Sequence, residues 1–220
     1  KRLDSFVRYL ETARPGTQSR TFVDTGPLLE RSLAQRAGLG FVGKNTMLIT
    51  RGLGSWVFLA QVVTTLDLPV DAPDDRSCGS CRLCIEACPT QAITEPYVLD
   101  ARRCIVYLTI EQHDPVPEAL RAHTGPWVFG CDVCQDVCPH NTRIPDTPVN
   151  VFHPDARSPS HLRLAEILAL DDESFRVRLA GTPLVRAGRE TLVANACLAA
   201  ANLDRTDLIP DLERLERKDP

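Results

Sequence analysis

The chain is short of aromatic residues, of methionine and of long apolar runs. Phe, Trp and Tyr make up 5% of its 220 residues, and Met47 is the single methionine. No apolar stretch approaches the ~18 residues of a membrane span. The longest, residues 56–63, reads as a buried strand or short helix, so no membrane partner is expected. Positive charge is not in excess either. The formal net charge is −4, which leaves a local basic patch as the only electrostatic route to a nucleic acid. No secretory signal is visible. The first residue is Lys1 rather than methionine, and we expect a further segment to precede it. The remaining composition, 43% hydrophobic and 25% charged, is ordinary for a folded soluble protein of one large domain or two small ones.

Cysteine, by contrast, is abundant: there are nine. Eight fall into one layout, Cys78-x2-Cys81-x2-Cys84-x3-Cys88-Pro89, then Cys104, then Cys131-x2-Cys134-x3-Cys138-Pro139. The first run has the spacing of two-cluster bacterial ferredoxins, including the proline after its fourth cysteine. The second repeats the end of that run, with its opening cysteine moved upstream to Cys104. A C-x2-C-x2-C loop offers three thiolates to one face of an iron–sulfur cube, and the fourth cysteine points away to the other cluster. Cys78, Cys81, Cys84 and Cys138 are therefore expected to hold one [4Fe–4S] cluster. Cys88, Cys104, Cys131 and Cys134 are expected to hold the second. Zinc also uses paired C-x2-C motifs, but it needs neither the third C-x2-C step nor the x3-C-P closure. A disulfide framework fits poorly, because such scaffolds are small and secreted. Clustered cysteines in a chain of this length point instead to metal in a reducing cytoplasm. Cys197 lies in an alanine-rich segment and reads as a small buried apolar residue. His113 and His140 lie near the cysteines and read as ordinary polar residues.

The rest of the chain divides into three parts, giving an α+β protein. Residues 1–75 mix helix and strand: a helix over 4–12, a strand over 21–24 and an amphipathic helix over 28–37 that Gly38 ends. Strand character follows at 47–50 and 56–64. Residues 76–145 form a ferredoxin-like double-cluster region. A proline-bearing connector over 145–160 (Pro145, Pro148, Pro154 and Pro159) opens the third part, residues 146–220, which becomes helical from His161. Asp171 is placed to cap a helix through 179, an alanine-rich helix covers 191–203, and a last one covers 208–215. These helices are expected to pack as a HEAT-like tail, although no clean repeat period is visible.

Two further features carry chemistry. Asp24 follows an apolar strand and precedes Gly26-Pro27, where it is expected at a strand end facing a pocket. A partly buried carboxyl there can serve as a proton donor. Residue type and spacing alone favour the plainer role of capping the turn through its side chain. The loop Gly38-Leu39-Gly40-Phe41-Val42-Gly43-Lys44-Asn45 is not a P-loop, since the G-x4-G-K-[ST] order is absent. It follows a helix, so it is not a dinucleotide fingerprint either. Its open backbone and lysine suit a large polar cofactor.

Taken together, these residues resemble the epoxyqueuosine reductases. The resemblance runs over residues 22–31 (Phe22-Val23-Asp24-Thr25-Gly26-Pro27 onward), over 37–45, and over Gly54-Ser55-Trp56-Val57-Phe58-Leu59. It continues through both cysteine runs, Glu95-Pro96-Tyr97, residues 100–105, 107–111 and 130–135. It implies a cobalamin-dependent iron–sulfur enzyme that reduces epoxyqueuosine to queuosine at the wobble position of tRNA. It further implies Asp24 as the proton donor and two [4Fe–4S] clusters feeding electrons to cobalamin. Asp24, Lys44, Asn45, Leu48, Ser55 and Leu59 would line the corrin pocket. The protein would be a cytoplasmic monomer served by a low-potential electron donor. Three departures stand out. The residues here start beyond the family's first segment, which is expected to precede Lys1, Val106 replaces a common serine, and Ala194-Asn195 replaces an Arg-Asn pair. Arg186 or Arg189 is the expected substitute if the missing arginine touches RNA. Two rivals share the clusters, a reductive dehalogenase-like cobalamin enzyme and a plain ferredoxin carrier. The helical tail argues against the first. Asp24, the glycine loop and the long flanks argue against the second.

Overall fold

The computed structural model describes residues 2–24, 26–153 and 162–218. Thr25, Pro154, Pro159 and His161, named above, lie outside the described residues. In chain order the elements are α1 (Arg2–Ala13), β1 (Ser19–Phe22), α2 (Glu30–Arg36), β2 (Phe41–Val42), β3 (Leu48–Ile49), β4 (Gln61–Thr64), α3 (Leu83–Ala87), β5 (Ile93–Glu95) and β6 (Val98–Leu99). They continue with α4 (Glu118–Arg121), α5 (Val133–Asp136), α6 (Leu164–Leu168), α7 (Asp172–Arg178), α8 (Arg189–Asn202) and α9 (Ile209–Lys218). The fold is thus mixed helix and sheet, as expected. No helix among the described residues is long and apolar enough to cross a membrane.

Two compact units gather non-contiguous segments. The first comprises residues 1–84, 95–98 and 134–145. The second comprises 85–94, 99–133 and 146–220.

In the first unit the strands are short and pair only locally. β1 runs antiparallel to β4, with Ser19 opposite Thr64 and Phe22 opposite Gln61. β2 pairs antiparallel with β3, Phe41 opposite Ile49. That second hairpin depends on Gly40, because a Cβ there would collide with the Ile49 carbonyl oxygen. The strand expected over 56–64 is shorter than its sequence implies, since only its end pairs. The reason lies just upstream. Gly54 has φ +64°, and a side chain on it would run into the Asn141 amide oxygen. The same oxygen accepts the Ser55 N–H at 2.7 Å, while Gly54 itself bridges back to Thr50, so the chain entering this stretch already has other partners.

The second unit has an apolar core of the ordinary kind. Ile167, Leu168, Leu170, Phe175, Leu179, Leu192, Val193, Ala196, Ala200 and Leu208 are buried together, with Cys197 against them. Alanine recurs along α8, so α6 approaches it closely. The Asp171 carboxylate accepts the Ser174 N–H at 2.8 Å and caps α7, as expected.

Candidate functional site

Four thiols meet in the first unit. Cys78, Cys81, Cys84 and Cys138 line one cavity with Lys44, Asn45, Ile49, Leu83, Pro139 and His140. These are the four cysteines expected to share a cluster. The chain delivers them in two ways. Residues 78–84 wrap as a loop, with the Cys81 N–H donating to the Cys78 carbonyl at 3.1 Å, and α3 then carries Cys84. Cys138 arrives from the other run at the start of a 3-10 turn opened by Pro139, in the extended conformation that a following proline imposes. Behind the thiols stands an apolar wall of Phe41 and Ile49, packed with Cys138 and Cys78. Phe41 is itself held between the edge of His140, 5.4 Å between ring centres, and the Arg76 guanidinium at 5.3 Å.

The electrostatics of this cavity favour a metal centre. Burial pushes the Cys84 and Cys138 thiols up, and the nearby cysteines add to the shift. Those sulfurs are therefore unstable as bare thiolates. Backbone amides oppose that effect: the Lys44 N–H points at Cys78 Sγ from 3.4 Å, and the His140 N–H bonds Cys138. Amides aimed at sulfur are a means by which proteins hold iron–sulfur clusters and set their potentials. Among the described residues, no group of three or more His, Cys, Asp or Glu closes around a single metal ion. The four thiols stand around a cavity instead, an arrangement that suits a polynuclear cluster.

In the second unit Cys131 lies within electrostatic reach of Cys104 and Cys88. Burial pushes Cys131 up to about 11, and Cys104 and Cys88 contribute. The Ala92 N–H donates to Cys88 Sγ at 3.2 Å, and the Val133 N–H bonds Cys131. Cys134, expected with these three, falls in the first unit by chain assignment.

The structure also explains how the displaced Cys104 is fixed relative to Cys131, with 26 residues between them in sequence. A π-helical turn, Tyr107–Glu111, follows Cys104 and is closed by the Gln112 N–H donating to the Tyr107 carbonyl. Asn195, buried on α8, donates from Nδ2 to the Thr109 and Val128 carbonyls, both at 3.0 Å. The Thr109 hydroxyl accepts the Gly130 N–H at 3.0 Å. One amide from the helical region thus staples the segment after Cys104 to the segment before Cys131. Sequence reasoning noted Asn195 only as half of an altered pair. Its position among alanines on a buried helix face was the available signal, because a polar group there must find partners.

The residues expected to line a corrin pocket are placed as follows. Lys44 is buried, with Nζ donating to the Gly79 and Cys81 carbonyls. Asn45 is buried, its Nδ2 donating to the Cys134 carbonyl at 3.2 Å. Ser55 is buried among Gln135 and Asn141, whose amide nitrogens donate to its hydroxyl at 3.2 and 2.9 Å. Leu48 is buried and Leu59 half-buried, while Trp56 and Phe58 stay exposed, Phe58 at 87%.

Asp24 departs from expectation. It lies beyond the end of β1, in the left-handed region at φ +54°, and is exposed rather than partly buried. Asp is one of the few residues that adopts this conformation readily. The turn is held through the backbone, with the Asp24 N–H donating to Glu30 Oε1 at 2.9 Å. Glu30, at the start of α2, thus helps to fix Asp24.

Comparison with known proteins agrees with this geometry. Residues 77–141 match the 4Fe-4S double cluster binding domain. An epoxyqueuosine reductase of Xanthomonas campestris is 44% identical over 91% of this chain and 56% of its own length. Two solved structures superpose over 99% of the chain, each with a TM-score of 0.91. One, 34% identical, is an epoxyqueuosine reductase with an epoxyqueuosine-modified tRNA stem loop, and 57% of it is covered. The other, 33% identical and also 57% covered, is the Bacillus subtilis enzyme with its catalytic aspartate loop swung out of the active site. The chain spans a little over half the length of such relatives.

Proposed function

By sequence and fold the chain belongs with the epoxyqueuosine reductases, and on that premise we propose that the protein reduces epoxyqueuosine in tRNA to queuosine. The observation that carries this reading is the likeness, over 99% of the chain, to a reductase solved with an epoxyqueuosine-modified tRNA stem loop. In the net reaction the epoxide takes up two electrons and two protons, both of its C–O bonds break, and water leaves.

Two [4Fe–4S] clusters would be held by Cys78, Cys81, Cys84 and Cys138, and by Cys88, Cys104, Cys131 and Cys134. They supply single electrons at low potential. Cobalamin supplies a reducing cobalt centre when bound. Leu59, beside the exposed Trp56 and Phe58, offers apolar surface suited to a corrin ring. Lys44, Asn45, Leu48 and Ser55, all buried, would complete the lining of that pocket. Asp24 delivers a proton to the epoxide oxygen as the C–O bond opens, because an expelled alkoxide needs a nearby acid. Its exposed turn matches a role on a loop that meets substrate. Residues 1–75 would serve cobalamin, 76–145 the clusters, and the HEAT-like helices of 146–220 the tRNA. Phosphate contacts make that binding salt-dependent. The protein works as a cytoplasmic monomer fed by a low-potential donor.

The test is reconstitution with iron, sulfide and cobalamin, followed by assay on tRNA carrying epoxyqueuosine under a strong reductant. Queuosine forms with the wild type. Asp24→Asn retains about eight irons and the cobalamin spectrum but loses turnover. No queuosine from a fully loaded protein overturns the assignment. Full turnover by Asp24→Asn removes that residue from proton transfer.

A further inference from the structure

Lys44 is the one buried lysine among the described residues, at 8% exposure. Its ammonium turns into the loop that carries the first thiols, donating to the Gly79 carbonyl at 2.6 Å and to the Cys81 carbonyl at 2.7 Å. It lines the cavity shared by Cys78, Cys81, Cys84 and Cys138, and among the described residues lining that cavity none is a carboxylate. The two carbonyls answer its hydrogen-bonding needs but not its charge, and a buried charge is unfavourable without a partner of opposite sign. A cube ligated by four thiolates is a net anion in both of its working oxidation states, and more so when reduced.

We propose that Lys44 is the counter-charge of the first cluster, clamping the 79–81 loop around it and raising its reduction potential. This rests on the iron–sulfur reading of the cysteines and goes beyond it. Reduction adds one negative charge to the cube, so a fixed cation beside it stabilises the reduced state more than the oxidised one. The effect is large only because the site is shielded from water. Electrons entering the protein would then favour this cluster over what it would be with a neutral residue at position 44. Lys44 acts through the ligand loop and its field, so it is a positioning and tuning residue.

The experiment is a redox titration of the intact, reconstituted protein, followed by paramagnetic resonance, with iron counted in parallel. Lys44→Met lowers one of the two midpoint potentials by at least tenfold in the one-electron equilibrium, about 59 mV, and leaves the other in place. Lys44→Arg, which keeps the charge, stays nearer the wild type. If Lys44→Met instead loses half the iron, recovery of that iron in Lys44→Arg supports the same role through the clamp. Unchanged potentials in a fully loaded Lys44→Met protein overturn the proposal, as does equal iron loss in both variants. A wild-type protein carrying two zincs would sink the iron–sulfur reading itself and this inference with it, whereas the variants bear on Lys44 alone.

Discussion

The helical part of the second unit and the thiol cavity of the first are held together by different means. Around α6 to α9, Leu168, Phe175, Leu192, Val193 and Ala196 are buried against one another, and among the described residues this cluster is built of apolar side chains. Around the thiols, few apolar side chains are buried together, chiefly Phe41 and Ile49. Polar groups do much of the joining there. Asn141 accepts from Ser55 and donates to the Gln135 carbonyl at 2.8 Å, and Lys44 holds the 79–81 loop. Such bonds each contribute only about 1 kcal/mol net, and four thiols, one buried and three half-buried, gather at their centre. One region is specified by its own apolar residues, and the other is completed by what it binds.

Removing the iron is the sharpest way to test that difference. Chelation should strip amide protection from residues 41–49 and 78–84 while α8 keeps its own. Hydrogen exchange followed by mass spectrometry reads both regions in one sample. Equal loss in the two would show that the helical core also depends on the clusters and would dissolve the contrast.

The reverse test damages the helical core and leaves the cysteines alone. Leu168 is 2% exposed, and Leu168→Ala should cost about 2–5 kcal/mol by loss of burial and creation of a cavity. Urea unfolding monitored by far-ultraviolet circular dichroism measures it. The iron content of the folded variant should stay at the wild-type value. A parallel fall in iron would mean that the helices do more than staple Cys104 to Cys131 through Asn195.

The same contrast sets what could be read from sequence. The alanine-rich α8 and the Asp171 cap were legible because helix periodicity and capping are local signals. The pairing of Cys138 with Cys78, Cys81 and Cys84 was legible because ligand spacing is itself a geometric code. The thiol region's supports were not. Gly54 and Asn141 are 87 residues apart in sequence, and nothing local announces that one makes room for the other's amide. The strand expected from residue 56 starts only at Gln61, because the chain just upstream is tied to Thr50 and to the Asn141 side chain. Asp24 was expected to be partly buried, as a carboxyl after an apolar strand often is. Instead Glu30 draws its N–H into an exposed left-handed turn. Polar long-range partners leave no period in a sequence, and the region that binds a ligand relies on them most.

The smallest expected effect probes how independently the helical region is built, through its response to acid. The Ser174 hydroxyl and N–H hold the Asp171 carboxyl below its ordinary value. A carboxyl with a lowered folded value stabilises the fold above its unfolded value of 3.8, and that contribution is lost as pH falls through the folded value. Asp171→Asn keeps an acceptor for the Ser174 N–H but cannot titrate. Its α7 cap should therefore be slightly weaker than the wild type at neutral pH, where the charge also favours the helix N-terminus. The gap should narrow as pH falls below 3.8 and close below the lowered folded value, where the wild-type carboxyl is protonated in the folded protein too. Thermal unfolding across that pH range measures the difference. A gap that stays constant into acid would show that the carboxylate's charge contributes nothing and that the cap acts through its hydrogen bond alone.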